Sequence, residues 1–317
     1  MTFKLNTLVL WNDVFNKMKY SLIVTLMVVS LGTKMARAQD HYIRYYNLVN
    51  QANQHWYEKE YPLALEKYLA GFEEVPYVHT INLVKAARAA AKLKRYDLVQ
   101  QFLAKAIKSG YPTAILQSKA YKKFRKTDQF ESLARNLKHY RAHYENSVNK
   151  DYQRKIDSLH FIDQCLLRGN NKVAPFEITT EGAFSDSLNF ACLLGLMEKY
   201  GFPSEQNIGY QGYRKSWVII HHSARLPQNH HYHQLLLEAL KNGAYQPENY
   251  CWVIDQGQTL LEQQPIFYHW DVATNIDLLT SEAKLKINAL RAEVGMPPIE
   301  RIEVLKTKSG TKHKVKW

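Results

Sequence analysis

KEYPLALEKYLAGF, Lys59 to Phe72, and KRYDLVQQFLAKAI, Lys94 to Ile107, carry one pattern twice, 35 residues apart. Tyr61 falls on Tyr96, Leu63 on Leu98 and Ala64 on Val99. Tyr68 falls on Leu103, Gly71 on Ala106 and Phe72 on Ile107. Within each copy the apolar and small residues recur at three- and four-residue intervals, the mark of one helix face. The text before each copy also aligns, with Ala52 on Ala87. A third pass, offset by 34, puts Phe130 on Tyr96, Leu133 on Val99 and Leu137 on Leu103, without the small residues. A unit of this length is a helical hairpin. It cannot bury its apolar face alone, so neighbours must stack.

The expected fold class is therefore all-α: a short α-solenoid over residues 39–149, then a mainly helical C-terminal domain over 150–304. Sparse glycine (13) and proline (10) in 317 residues leave long unbroken segments, which favours helix. One long helix is expected from Gln129 to Leu167, and a loop over 169–184, where Gly, Asn, Pro and Thr gather. Ser185 or Asp186 then caps a helix over Leu188–Tyr200. A turn region with three glycines follows at 200–213, and a buried helix at Ser216–His222. Further helices are expected at His233–Leu240, ended by Asn242-Gly243, at Pro247–Leu261 and at Ser281–Val294. The only good strand candidate is IERIEVLKT, Ile299–Thr307; residues 305–317 form a basic tail.

The first 38 residues read as an export signal. Met18-Lys19-Tyr20 gives a basic start, Leu22 to Leu31 an apolar core, and Ala36-Arg37-Ala38 a small-x-small cleavage site. Translation can begin at Met1 or Met18. The apolar core is half the roughly 20 residues a membrane span needs. The mature chain is thus expected to be periplasmic or secreted and not membrane-spanning. The net charge of +13 suits an anionic surface, while export removes nucleic acid from the expected partners. Cys165, Cys192 and Cys251 are widely spaced beside apolar residues and read as buried hydrophobes.

The aromatic-x-x-Ala-x-x-x-aromatic spacing of the front part resembles the tetratricopeptide repeat. That resemblance implies a groove for a protein or peptide partner. The back part shows Asp163-Gln164 with Arg168, Asp186 with Asn189, Tyr200-Gly201-Phe202-Pro203, His221-His222-Ser223, and Asn288 with Arg291. In that order these motifs resemble an uncharacterised bacterial domain family common in exported proteins, over about residues 150–300. The sequence departs from the family pattern at His221, at Asp255-Gln256 and at Ile266–Asp271, where only Tyr268 is kept.

Five of the 13 histidines lie between Ser216 and His233. One reading makes His222 a general base, oriented by Asp163 or Asp186 beside Asn189, with Arg168 or Arg291 stabilising negative charge. The competing reading is a buried polar network tying helices together, since paired structural groups look the same in sequence. His221, Asp255, Tyr268 and Trp270 are candidate binding residues. A metal site could draw on His221 or His222 with His230, His231, His233, His269 and Asp271. Only His231 and His233 are tightly spaced and no HExxH occurs, so no metal ligand and no cofactor is assigned. The leading expectation is a protein- or peptide-interaction module acting through the repeat groove; the alternative is a hydrolase-like enzyme with His222 as general base and Asp163 and Arg168 in support.

Overall fold

Small side chains set how closely the first helices approach. Ala52, Ala64, Ala86, Ala87, Ala89 and Ala90 are all fully buried. The computed structural model describes residues 41–166, 180–223, 233–261, 263–268, 278–307 and 310–315. Four helices open the described chain: α1 (41–57), α2 (Tyr61–Glu73), α3 (Thr80–Lys92) and α4 (Tyr96–Lys108). A Cβ on Gly71 would lie 3.3 Å from that of Leu48, so glycine here lets α2 meet α1. The matched positions of the two copies share a buried side: Ala64 with Val99, and Tyr68 with Leu103. Their turns match as well. Lys59 and Lys94 both take a left-handed backbone, φ 65° and 58°. Glu60 N donates to His55 O and Arg95 N to Ala90 O, the same five-residue closure 35 residues apart.

The third unit departs from this plan. Where its first helix would stand, three short 3₁₀ turns occupy Thr113–Gln117, Lys119–Tyr121 and Phe124–Lys126. The single helix expected over 129–167 is three: α5 (Asp128–Arg135), α6 (Leu137–Ser147) and α7 (Lys150–Phe161). Two asparagines explain the breaks. Asn136 ends α5 and donates from its side chain to Ser132 O. After an extended Val148, the Asn149 side chain caps α7 by accepting from Tyr152 N.

α8 (Thr180–Tyr200) starts earlier than expected. α9 (Glu205–Ser223) covers much of the segment read as turns, as two helical stretches that meet at a non-helical Gly209. Gly209 takes φ 73°, and Tyr144 packs where its Cβ would be. The bend is tied from outside: Gln153 Nε2 donates to Ile208 O and Tyr210 N to Ser109 O. α10 (His233–Lys241), α11 (Pro247–Leu260) and α12 (Ser281–Glu293) fall close to expectation. β1 (Ile302–Thr307) and β2 (Gly310–Val315) form an antiparallel hairpin, so the basic tail pairs with the expected strand. The chain is all-α in class, with this hairpin the only sheet among the described residues. Cys251 is buried as expected, but Cys192 faces solvent from α8. The export signal lies outside the described residues. No described helix is long and apolar enough to cross a membrane.

Residues 42–317 form one compact unit; of residues 1–41 only His41 is described. Within the unit the repeats are sealed against the later helices by a polar seam. Glu205, at the start of α9, is 4% exposed. Its carboxylate accepts from Thr80 N (2.8 Å), Thr80 Oγ1 (2.6 Å), Tyr77 OH (3.2 Å) and Gln246 Nε2 (3.2 Å). His79 Nδ1 stands 3.8 Å away. A carboxylate from 125 residues on thus caps the N-terminus of α3, where backbone donors and the helix dipole favour an anion. Beside it Tyr46 OH donates to Tyr245 O, and Asn50 Nδ2 to Gly295 O. Gly243, at φ 70° after α10, lies against the Tyr42 ring.

A Cβ at Gly243 would sit 2.0 Å from that ring, so Gly243→Ala should cost at least about 1–3 kcal/mol in denaturant unfolding. Glu205 gives a pH signature. Burial alone would raise its carboxyl, but the His79 ring and the Thr80 donors outweigh burial and hold it below the ordinary value. A depressed folded value stabilises above the unfolded one, about 4.3, and that stability is lost as pH falls through the folded value. Glu205→Gln should therefore lose about 1.5–3 kcal/mol at neutral pH and flatten the acid limb of the stability curve. An acid limb identical to that of the parent would refute the assignment.

Candidate functional site

α7 does not stop at Phe161. It continues as one π turn, Ile162–Leu166, a widening of the helix that often marks functional positions. Asp163 sits in that turn. Asp186 and Asn189 are three residues apart on α8, hence on one face. His222 lies in the last turn of α9. Lys215 Nζ to Asp157 Oδ1, at 2.7 Å, helps fix α9 alongside α7.

These side chains form one buried centre. His222 Nδ1 and Asp163 Oδ1 are 2.8 Å apart. Gln164 Nε2 donates to the other oxygen of Asp163. One ligating atom each from Asp163, Asp186 and His222 lies within 4.8 Å of the others. Exposures are 1% for Asp163, 5% for Asp186, 4% for Asn189 and 7% for His222, so their polar interactions are made largely out of bulk water. Asn189 Nδ2 is buried and makes no hydrogen bond. A carboxylate on Nδ1 means that Nδ1 carries the proton. The basic lone pair of a neutral His222 is then on Nε2, and Asp163 stabilises the imidazolium that forms when Nε2 takes a proton.

The other predicted residues go elsewhere. Arg291, 1% exposed on α12, donates to the carbonyls of Pro297, Phe267 and Tyr268. Burial pushes its guanidinium below the ordinary value, against nearby Cys251 and Asp255. It ties loops to α12, and the charge-stabilising role does not fall to it. Asp255 is fully buried on α11 and accepts from Ile266 N and Phe267 N at 2.8 Å each, a loop anchor. Tyr268 adopts a left-handed backbone, φ 48°, and donates to Gln264. His221 packs in an aromatic stack: its ring lies parallel to Trp217 (8°, 5.4 Å) and 4.3 Å from Trp252. Arg168, Trp270, His230, His231, His269 and Asp271 lie outside the described residues, and His233 begins α10. The sequence reading offered Asp163 or Asp186 as the partner of His222; the structure bonds Asp163 to it and brings Asp186 into the same cluster. The signal was present in Asp163 and Asp186, both singled out for catalysis.

Asp163→Ala leaves a buried ring nitrogen without its acceptor and should cost about 1–3 kcal/mol by chemical denaturation. A loss under a few tenths would mean the pair is not formed in solution. No protein-family model, no curated protein and no solved structure matches the chain.

Proposed function

We propose that the chain is an exported, hydrolase-like enzyme whose reaction centre is Asp163, Asp186, Asn189 and His222. The observation that carries this reading is the 2.8 Å bond between His222 and Asp163 inside a buried centre. His222 Nε2 takes a proton from water as the water oxygen bonds to the acyl or phosphoryl centre of the substrate, and the imidazolium returns that proton to the leaving group as its bond breaks. Asp163 holds the tautomer and stabilises the imidazolium. Asn189 offers a donor to oxygen that gains charge.

The repeat-groove reading needs an open face on the repeats. The face of α1 and α3 bearing Tyr42, Tyr46, His79 and Thr80 is instead engaged by Glu205, Gly243, Tyr245 and Gly295. In the reading preferred here the repeats serve the second half of the chain, by holding α9 at its start.

The test is a panel of chromogenic esters, amides and phosphoesters, with parent protein, His222→Ala and Asp163→Asn. On any substrate the parent hydrolyses, His222→Ala should lose about 10²–10⁴-fold in turnover, with circular dichroism unchanged. Full turnover by His222→Ala would sink the reading.

A further inference from the structure

We infer that the same buried centre binds one divalent transition cation, with Asp163, Asp186 and His222 as its protein ligands. The inference rests on the reading above for its effect on turnover only; occupancy is measured apart from activity.

Three separate elements bring the ligands together: the π turn after α7, helix α8 and the end of α9. The three ligating atoms lie within 4.8 Å of one another. Two donors on one ion at about 2.1 Å each can be at most about 4.2 Å apart, so small side-chain rotations close the set. Two carboxylate oxygens and one imidazole nitrogen suit Zn²⁺ or Mn²⁺ and offer no soft sulfur. Three protein ligands also leave a coordination position for water, as catalytic rather than structural sites do.

Two neighbours fit this use. Gln164 donates to the second oxygen of Asp163, the outer support that orients a ligating carboxylate. Asn189 lies one helical turn from Asp186, 4% exposed, and its amide nitrogen makes no hydrogen bond. An NH₂ group cannot ligate a cation. It can donate to an oxygen, and a cation-bound water or hydroxide supplies one. This buried donor points to a ligand independently of the acid–imidazole cluster.

The cation takes the place of the proton held between His222 Nδ1 and Asp163 Oδ1. Bound through Nδ1, the neutral ring keeps its single proton on Nε2, so the proton crosses the ring and none is released from it. A cation held there would make His222 a ligand and would lower the pKa of a bound water, replacing the base role of Nε2. A second cluster, His55, Glu58 and Glu60 at the end of α1, is open to water and serves as the internal control.

The experiment is calorimetric titration of the full chain, stripped with EDTA and dialysed, with Zn²⁺ and with Mn²⁺ in two buffers of different ionisation enthalpy. One equivalent of at least one ion should bind. Asp186→Asn and Asp163→Asn should each weaken binding by at least about 10–100-fold, and His55→Ala should leave it unchanged. Absence of binding by both ions, or binding lost in His55→Ala and kept in Asp186→Asn, overturns the inference. Should a variant fail to fold, the parent protein decides: Zn²⁺ must shift the His222 ring resonances, and a shift confined to His55 overturns the site. Loss of turnover in His222→Ala without cation binding would fell this inference and leave the proposed function standing. Cation binding with full turnover in His222→Ala would do the reverse.

Discussion

A carboxylate buried at the head of another helix holds this chain together. Removing the charge of Glu205 from water costs several kcal/mol, and that cost is offset only if nearly every lone pair finds a donor. Thr80 provides two, Tyr77 and Gln246 one each, and the α3 dipole adds to them. The geometry tolerates little freedom, so the first turn of α9 is fixed on the repeats. α9 ends in His222, beyond the bend at Gly209. One helix thus carries an acid–imidazole contact at each end: Glu205 with His79, and His222 with Asp163. The first is structural. The second has the composition of a reaction centre.

Between the two ends the helix must bend, and the bend is where sequence and structure meet most plainly. Only a residue without a Cβ can take the Gly209 backbone with the Tyr144 ring pressed against it. The freed backbone groups are not lost: Gln153 and Ser109 bond to them. Three glycines suggest turns, yet with tertiary partners outside the segment only Gly209 leaves the helical backbone inside α9. Local pattern cannot reveal partners that lie 55 and 101 residues away.

The repeats were legible because their information is local and duplicated. Tyr61 and Tyr96, Ala64 and Val99, and the left-handed Lys59 and Lys94 report one hairpin twice. The third unit was legible only as a weakening of the pattern. The breaks at Asn136 and Asn149 are polar caps within a helical text, easy to read through. In the site, Asp163, Asp186, Asn189 and His222 were singled out by the order of motifs in the back half and by the apolar helix that ends at His222. Arg291 came from the same motif order, but in the structure three carbonyls account for its buried guanidinium. His221 shows the limit from the other side, since its neighbour along the chain pairs with Asp163 and it packs on tryptophans.

Everything proposed for function passes through the proton on one ring nitrogen. Long-range ¹H–¹⁵N NMR of the histidine side chains, on cation-free protein with His222 assigned by substitution, reads that proton directly. The account predicts a neutral His222 ring protonated at Nδ1, with a slowly exchanging, strongly deshielded Nδ1 proton and an unprotonated Nε2. A ring protonated at Nε2 alone, or one averaging freely between tautomers, would contradict it.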